Sequence, residues 1–206
     1  MIKAIIFDWD GVIVDSMQSI AKGIQEAATL LGANISVEET LDTYFQPRYA
    51  FYESLGIDVS DKAKIDRIHL ASVAKHSTPA PLFPEVAEVL RELNHRGKKL
   101  ALASTVEVVD LEKQLKQFGL ENLFEKELVE GGMKPKEQKL TDLLLKLGYL
   151  ASEVLYVGDL PSDVIAARTA GTKAAGIQRR EGARERLIKE KPDFLLGSLE
   201  DLLALS

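Results

Sequence analysis

Apolar positions along the chain fall into two alternating rhythms. Residues Ala4 to Phe7 form a short continuous apolar run, which predicts a strand buried on both faces. From Met17 to Leu31 the period changes. Ile20, Ile24, Ala27, Ala28 and Leu31 recur at helical spacing, and Gly32 supplies a stop. Ser36 followed by Glu39 has the form of a capping box and opens a helix to about Phe45. Pro47 begins a further helix that ends at Gly56, and Ser60 is expected to cap a third segment carrying Ile65, Ile68 and Ser72. Residues 17 to 77 thus read as almost entirely helical.

A break follows. HSTPAPLFP holds Pro79, Pro81 and Pro84, which is turn or linker chemistry. Beyond it the helix Pro84–Arg96 precedes the strand Lys99–Ala103, and the helix Glu107–Phe118 precedes a short strand, Glu127–Val129. The helix Pro135–Leu147 leads to the strand Val154–Val157, and Pro161–Ala170 leads to Lys173–Ile177. A short strand and helix, Phe194–Leu196 and Leu199–Leu203, finish the chain. Strands alternating with helices mean parallel βαβ units. The fold class expected is α/β, an open, doubly wound, mostly parallel sheet built from residues 1–16 and 80–206. Residues 17–79 form a small all-helical insertion after the first strand.

Composition changes this picture little. The 206 residues are 46% hydrophobic and 28% charged, as in ordinary globular proteins. The net charge of −6 and the lack of a long basic tract argue against a nucleic-acid partner. Disulfides and thiolate metal sites are excluded, since there is no cysteine. No signal peptide and no run of 18 apolar residues is present, so the expectation is a cytoplasmic protein without a membrane partner. Mixed charges from Arg179 to Lys191 read as a solvated loop or surface helix.

The chemistry lies at the strand ends, where open α/β sheets bind ligands. After the first strand come Asp8 and Asp10, and after the second Ser104 and Thr105. EGGMKP after the third strand carries Lys134, and VGDLPSD after the fourth carries Asp159 and Asp163. Singly, each has an ordinary use as turn residue, helix cap or surface lysine. Together they bring several carboxylates to one rim, where they repel one another. A bound hard cation relieves that repulsion, and all-oxygen donors point first to Mg²⁺.

In order along the chain, Asp8-Trp9-Asp10-Gly11-Val12, Ser104 at the end of LALAS, Lys134-Pro135 and Gly158-Asp159-Leu160-Pro161-Ser162-Asp163 resemble the four motifs of the haloacid dehalogenase superfamily. The chain is similar to its phosphoglycolate phosphatase-like and β-phosphoglucomutase-like members, whose helical cap follows the first motif. The resemblance implies a Mg²⁺-dependent phosphatase acting on a small phosphorylated metabolite. In that scheme Asp8 is the nucleophile that becomes phosphorylated, and Asp10 is the general acid and then base. Mg²⁺ is held by Asp8, the Asp10 carbonyl, Asp159 and Asp163. Ser104 and Thr105 bind the phosphoryl oxygens, and Lys134 offsets the charge. Asp10 favours phosphoryl transfer over dehalogenation, because a halide leaving group needs no acid.

Departures from the family pattern include Trp9, Leu160 and Glu85, the last standing where glycine is frequent. Asp15 is read as a structural turn or cap acid. Specificity is expected from the insertion, where Arg48, in the aromatic stretch TYFQPRYAFY, would favour an anionic leaving group, the alternative being that the aromatics pack as its core and Arg48 lies on the surface. The alternatives are a β-phosphoglucomutase-like mutase using the same residues, and a non-catalytic binding or regulatory protein on the same scaffold.

Overall fold

The structure is a computed structural model and describes residues 1–77, 80–180 and 182–205. Pro79 of the linker lies outside the described residues. The chain divides into two compact units, one of Met1–Val14 with Leu82–Ser206 and the other of Asp15–Pro81.

The larger unit holds a six-stranded parallel sheet of β1 (Ala4–Phe7), β2 (Lys99–Ala103), β3 (Val129–Glu130), β4 (Val154–Gly158), β5 (Lys173–Ile177) and β6 (Phe194–Leu196). Their order is β3-β2-β1-β4-β5-β6, so the first strand lies at the centre, with Phe7 opposite Leu102 on one side and Val157 on the other. Both faces are covered. Ala4, Ile6, Ala101, Ala103, Val154 and Tyr156 pack in one cluster with residues of the helices at Lys136–Leu147 and Pro161–Ala170. The alternate positions, Ile5, Phe7, Leu100, Leu102, Leu155 and Val157, point to the opposite face and are equally buried. Unbroken apolar runs are the expected signature of such a sheet.

Strand β3 is shorter and later than the predicted Glu127–Val129. Lys126–Leu128 instead forms a 3₁₀ turn, and only two residues pair with β2. Further, the segment Arg179–Lys191 is not wholly solvated. Arg179 is almost buried, with its guanidinium 3.7 Å above the Phe83 ring.

Among the described residues the smaller unit contains four helices, α1 (Met17–Leu30), α2 (Val37–Thr43), α3 (Arg48–Ser54) and α4 (Lys62–His76). In the larger unit follow α5 (Val86–His95), α6 (Val108–Gln117), α7 (Lys136–Leu147), α8 (Pro161–Ala170), α9 (Ala183–Lys189) and α10 (Leu202–Leu205). Ile24, Ala27, Ala28, Phe51, Tyr52 and Ile65 form the core of the smaller unit. The Ser36–Glu39 capping box is present in both directions, at 3.1 and 2.9 Å. The cap of α4, however, is Asp61 rather than Ser60. Asp61 Oδ1 accepts from the Lys64 N–H at 2.9 Å, while the Ser60 N–H is already held by Asp58. Among the described residues, no helix is long and apolar enough to cross a membrane.

His69 of α4 is buried in this unit, 2.7 Å from the Tyr52 hydroxyl. Burial first, and the Arg48 charge second, push its pKa down to about 4. Between that value and the ordinary His value near 6.5, the unfolded chain binds a proton that the folded chain does not, so stability rises with pH. The contribution is complete above pH 6.5 and is lost as pH falls from there toward 4. It amounts to at most about 3 kcal/mol. Melting curves from pH 7 to 5 should therefore show a falling Tm in the wild type. His69→Gln should flatten that slope, and parallel curves would contradict the assignment.

Candidate functional site

The carboxyl edge of β1 and β4 carries the charge. Asp8 directly follows β1, and its N–H still donates to Val157 O at 2.9 Å, so the sheet fixes its backbone. The chain then folds back on itself. Trp9 O accepts from the N–H groups of Ile13 and Val14, and Gly11 takes a positive φ of 71° that a side chain would oppose. Trp9 is fully buried, with its indole N–H 3.2 Å from Gln114 Oε1 of α6. Its ring therefore packs locally and anchors the turn that carries Asp10, which is half-buried.

Asp159 and Asp163 approach Asp8 from β4 and the first turn of α8. Carboxylate oxygens of the three acids lie within 4.8 Å of one another, and all three residues are buried. Gly158 makes this possible: a Cβ there would lie 2.2 Å from Asp163 Cβ. Asp163 has two duties. Its Oδ2 caps α8 by accepting from Leu160 N at 2.9 Å, and its Oδ1 faces the cluster. Burial first, with the Asp163 charge, raises the Asp8 pKa to about 6 against the lowering effect of Lys136, and burial with the Asp163 and Asp8 charges raises Asp159 well above the usual carboxylate range. Three buried oxygen donors this close have the composition and proximity that a hard divalent cation requires.

The lysine in this cluster is Lys136, not Lys134. Lys136 Nζ lies 2.5 Å from Asp8 Oδ2 and 2.7 Å from Asp163 Oδ1. Burial lowers its pKa, but Asp163 and Asp8 outweigh burial and hold it well above the usual lysine value. Lys134 turns outward to Asp142 at 2.5 Å and Glu130 at 3.4 Å, with 40% of its side chain exposed. The physical reason is where α7 begins. Pro135 is its N-cap, so Lys136 occupies the first helical position, whereas Lys134 precedes the helix.

The remaining predicted residues divide. Ser104, at the end of β2, is fully buried, and its Oγ accepts from Val106 N at 3.1 Å. Thr105 is exposed on the same loop and Asp15 is exposed. Arg48 lies in the first turn of α3, 3.4 Å from Asp66 of α4, and the aromatic residues around it pack as core, with Tyr44 and Phe51 rings 5.0 Å apart.

Besides Lys136, two further candidates were missed. Arg179, after β5, donates to Val12 O at 2.7 Å and to Glu85 Oε1 at 2.6 Å. The Glu85 departure is thus half of an ion pair whose other half holds the Asp10 turn. Lys139 of α7 is fully buried, with its Nζ on the carbonyls of Ser104 and Gly132. A signal for the lysines existed, because Lys136 lies four residues before Leu140 and Lys139 four before Leu143 of the apolar stripe Leu140, Leu143 and Leu147.

Comparison with known proteins bears on the family. The family model for haloacid dehalogenase-like hydrolases matches residues 5–177. Pyrophosphatase PpaX of Bacillus pumilus is 29% identical over 99% of this chain and 96% of its own length. A phosphoglycolate phosphatase of Synechococcus elongatus is 30% identical over 98% of this chain and 95% of its own. Among solved structures, a haloacid dehalogenase-like family hydrolase from Streptococcus pneumoniae has a TM-score of 0.81 at 22% identity, with 99% of this chain and 98% of that one covered. A protein provisionally assigned as a β-phosphoglucomutase from Bacteroides vulgatus has a TM-score of 0.78 at 21% identity, with 98% and 86% covered. The two structures bear on fold alone.

Removing the Lys136 charge leaves the buried acids facing one another. Lys136→Met should destabilise the metal-free protein by roughly 3–5 kcal/mol in urea unfolding, as for other buried pairs that lose one partner. Lys134→Met, at an exposed pair, should stay within about 1 kcal/mol of wild type. Equal effects of the two substitutions would contradict the assignment.

Proposed function

The chain belongs to the haloacid dehalogenase-like hydrolase family, and from that premise we propose that it is a Mg²⁺-dependent phosphatase that hydrolyses a small phosphorylated metabolite through a phosphorylated Asp8. The observation that carries this reading is the Asp8 carboxylate itself. It is buried and rigidly held, with Oδ1 accepting from Trp9 N at 2.8 Å and Oδ2 paired to Lys136 at 2.5 Å. A nucleophile so held loses little orientational freedom at the moment of attack.

One Asp8 oxygen attacks phosphorus, the bond from phosphorus to the leaving oxygen breaks, and Asp10 donates its proton to that oxygen. Water then attacks the phosphorus of the acyl phosphate while Asp10 takes the proton back, which releases inorganic phosphate and restores Asp8. Lys136 offsets the negative charge that gathers on Asp8 and the phosphoryl oxygens. Ser104 and the amides of its loop are the proposed phosphoryl-binding groups. Asp8, Asp159 and Asp163, with the Asp10 carbonyl, would hold Mg²⁺, which when bound supplies positive charge to the phosphoryl oxygens.

The substrate class proposed is a compact phosphate with a second anionic group beside the scissile bond. The names of the two relatives support it, since phosphoglycolate carries a carboxylate and pyrophosphate a second phosphoryl group. Phosphate release from 2-phosphoglycolate and pyrophosphate, compared with a neutral alkyl phosphate, tests this class. Faster turnover of the neutral ester would reject it.

Activity should vanish in chelator and return with Mg²⁺. Asp8→Asn should abolish turnover while the protein stays folded by circular dichroism. Asp10→Asn should slow hydrolysis of an alkyl phosphate by roughly 10²–10⁴-fold, the usual range for loss of a general acid. With p-nitrophenyl phosphate, whose leaving group needs no proton, the loss should be far smaller, and a uniform loss would remove Asp10 from the acid role.

A further inference from the structure

Lys139 is a fully buried ammonium on the second turn of α7, and the proposed chemistry leaves it without a role. Its partners among the described residues are not carboxylates. They are two main-chain carbonyls, those of Ser104 after β2 and Gly132 after β3, the second at 2.5 Å. Burial is the main influence on its pKa, which falls to about 8, so the group is still a cation at neutral pH. A cation in a dry interior is costly unless its donors are well met.

The two carbonyls belong to loops that are already stitched together. Ser104 N donates to Glu130 O at 2.9 Å and Gly132 N donates to Val106 O at 2.9 Å. Gly131 lets the loops touch, since a Cβ there would lie 2.4 Å from Val106 O. Lys139 closes this stitching from the interior side.

A trans peptide sends its C=O and N–H in opposite directions. The peptide between Ser104 and Thr105 is trans. Its carbonyl is drawn inward to Lys139, so its N–H, that of Thr105, faces the other way. Among the described residues the Thr105 N–H donates to no group, and Thr105 itself is exposed. A cation on the carbonyl oxygen also polarises the amide and strengthens its N–H as a donor.

We propose that Lys139 is a positioning residue for phosphoryl binding, which holds the Ser104 carbonyl inward and so presents the Thr105 N–H outward to an anion. The proposal rests on the phosphatase reading. It adds to that reading a lysine that touches neither substrate nor the acid cluster.

The experiment uses inorganic phosphate as the probe, with the full chain in Mg²⁺. Lys139→Met keeps length and apolar volume and removes the donors. Calorimetry should show phosphate bound about tenfold more weakly, the cost of one hydrogen bond to a charged group. KM for p-nitrophenyl phosphate should rise by a similar factor, with kcat changed less. Lys139→Arg, which keeps charge and donors, should recover part of the affinity. The rise in Tm produced by Mg²⁺ should match wild type in both variants. Phosphate affinity unchanged in a folded Lys139→Met would overturn the proposal.

A measurement on the wild type keeps the test independent of variant folding. The Thr105 amide resonance should move downfield on saturation with phosphate, and a Thr105 amide that stays in place while phosphate binds would also overturn it. Failure of the phosphatase reading looks different, because the wild type would then release no phosphate from any ester and bind none.

Discussion

Carboxylates repel, and this molecule brings three of them within 4.8 Å of one another in a buried setting. The constraint shapes everything around it. Charge of one sign in a dry region must be neutralised by protonation, by a cation from the chain or by one from solution. The chain supplies one cation, Lys136, shared between Asp8 and Asp163. Burial, the main cause, still raises the Asp8 and Asp159 pKa values although Lys136 lowers both. What remains is an excess of negative charge that a divalent ion would offset. The central position of β1 matters because the strand is paired on both sides up to Phe7 and Asp8 is still bonded to Val157, which opposes any relaxation of the acids apart.

Much of the sheet was legible in the sequence, because parallel strands buried on both faces are written as unbroken apolar runs. AIIF, KLALA and KAAGI were readable at their observed ends. Strand β3 was not, since two paired residues at the edge carry too little pattern to distinguish a strand from a turn. The acids were legible for a different reason. Asp8, Asp159 and Asp163 each follow a strand end closely, and strand ends in a parallel sheet face one way.

The lysines were harder, because a motif fixes a residue's neighbours in sequence but not its rotation about a helix. The assignment of Lys134 depended on where α7 begins, and Pro135 as N-cap gives the inward direction to Lys136. Lys139 and Arg179 resemble surface cations in any composition count. Their partners are main-chain carbonyls, which every residue possesses, so the sequence does not name those partners, and only the helical spacing of Lys139 to Leu143 hints at its inward side. Charge patterning fails at such groups because solvent does not decide where they point.

Where the helical insertion leaves and rejoins the sheet unit, the two chain segments run side by side. Val14 bridges Leu82, Phe83 N donates to Ile13 O, and Arg179 grips Val12 and Glu85 across the same seam. The seam is sealed by bonds that belong to the sheet unit alone. A chain excursion of any length can start and finish there without opening the turn that carries Asp10, because the ends are already adjacent and longer loops add only slowly to the closure entropy. The architecture therefore lets the helical segment change its size and sequence over evolutionary time while the acid cluster keeps its geometry.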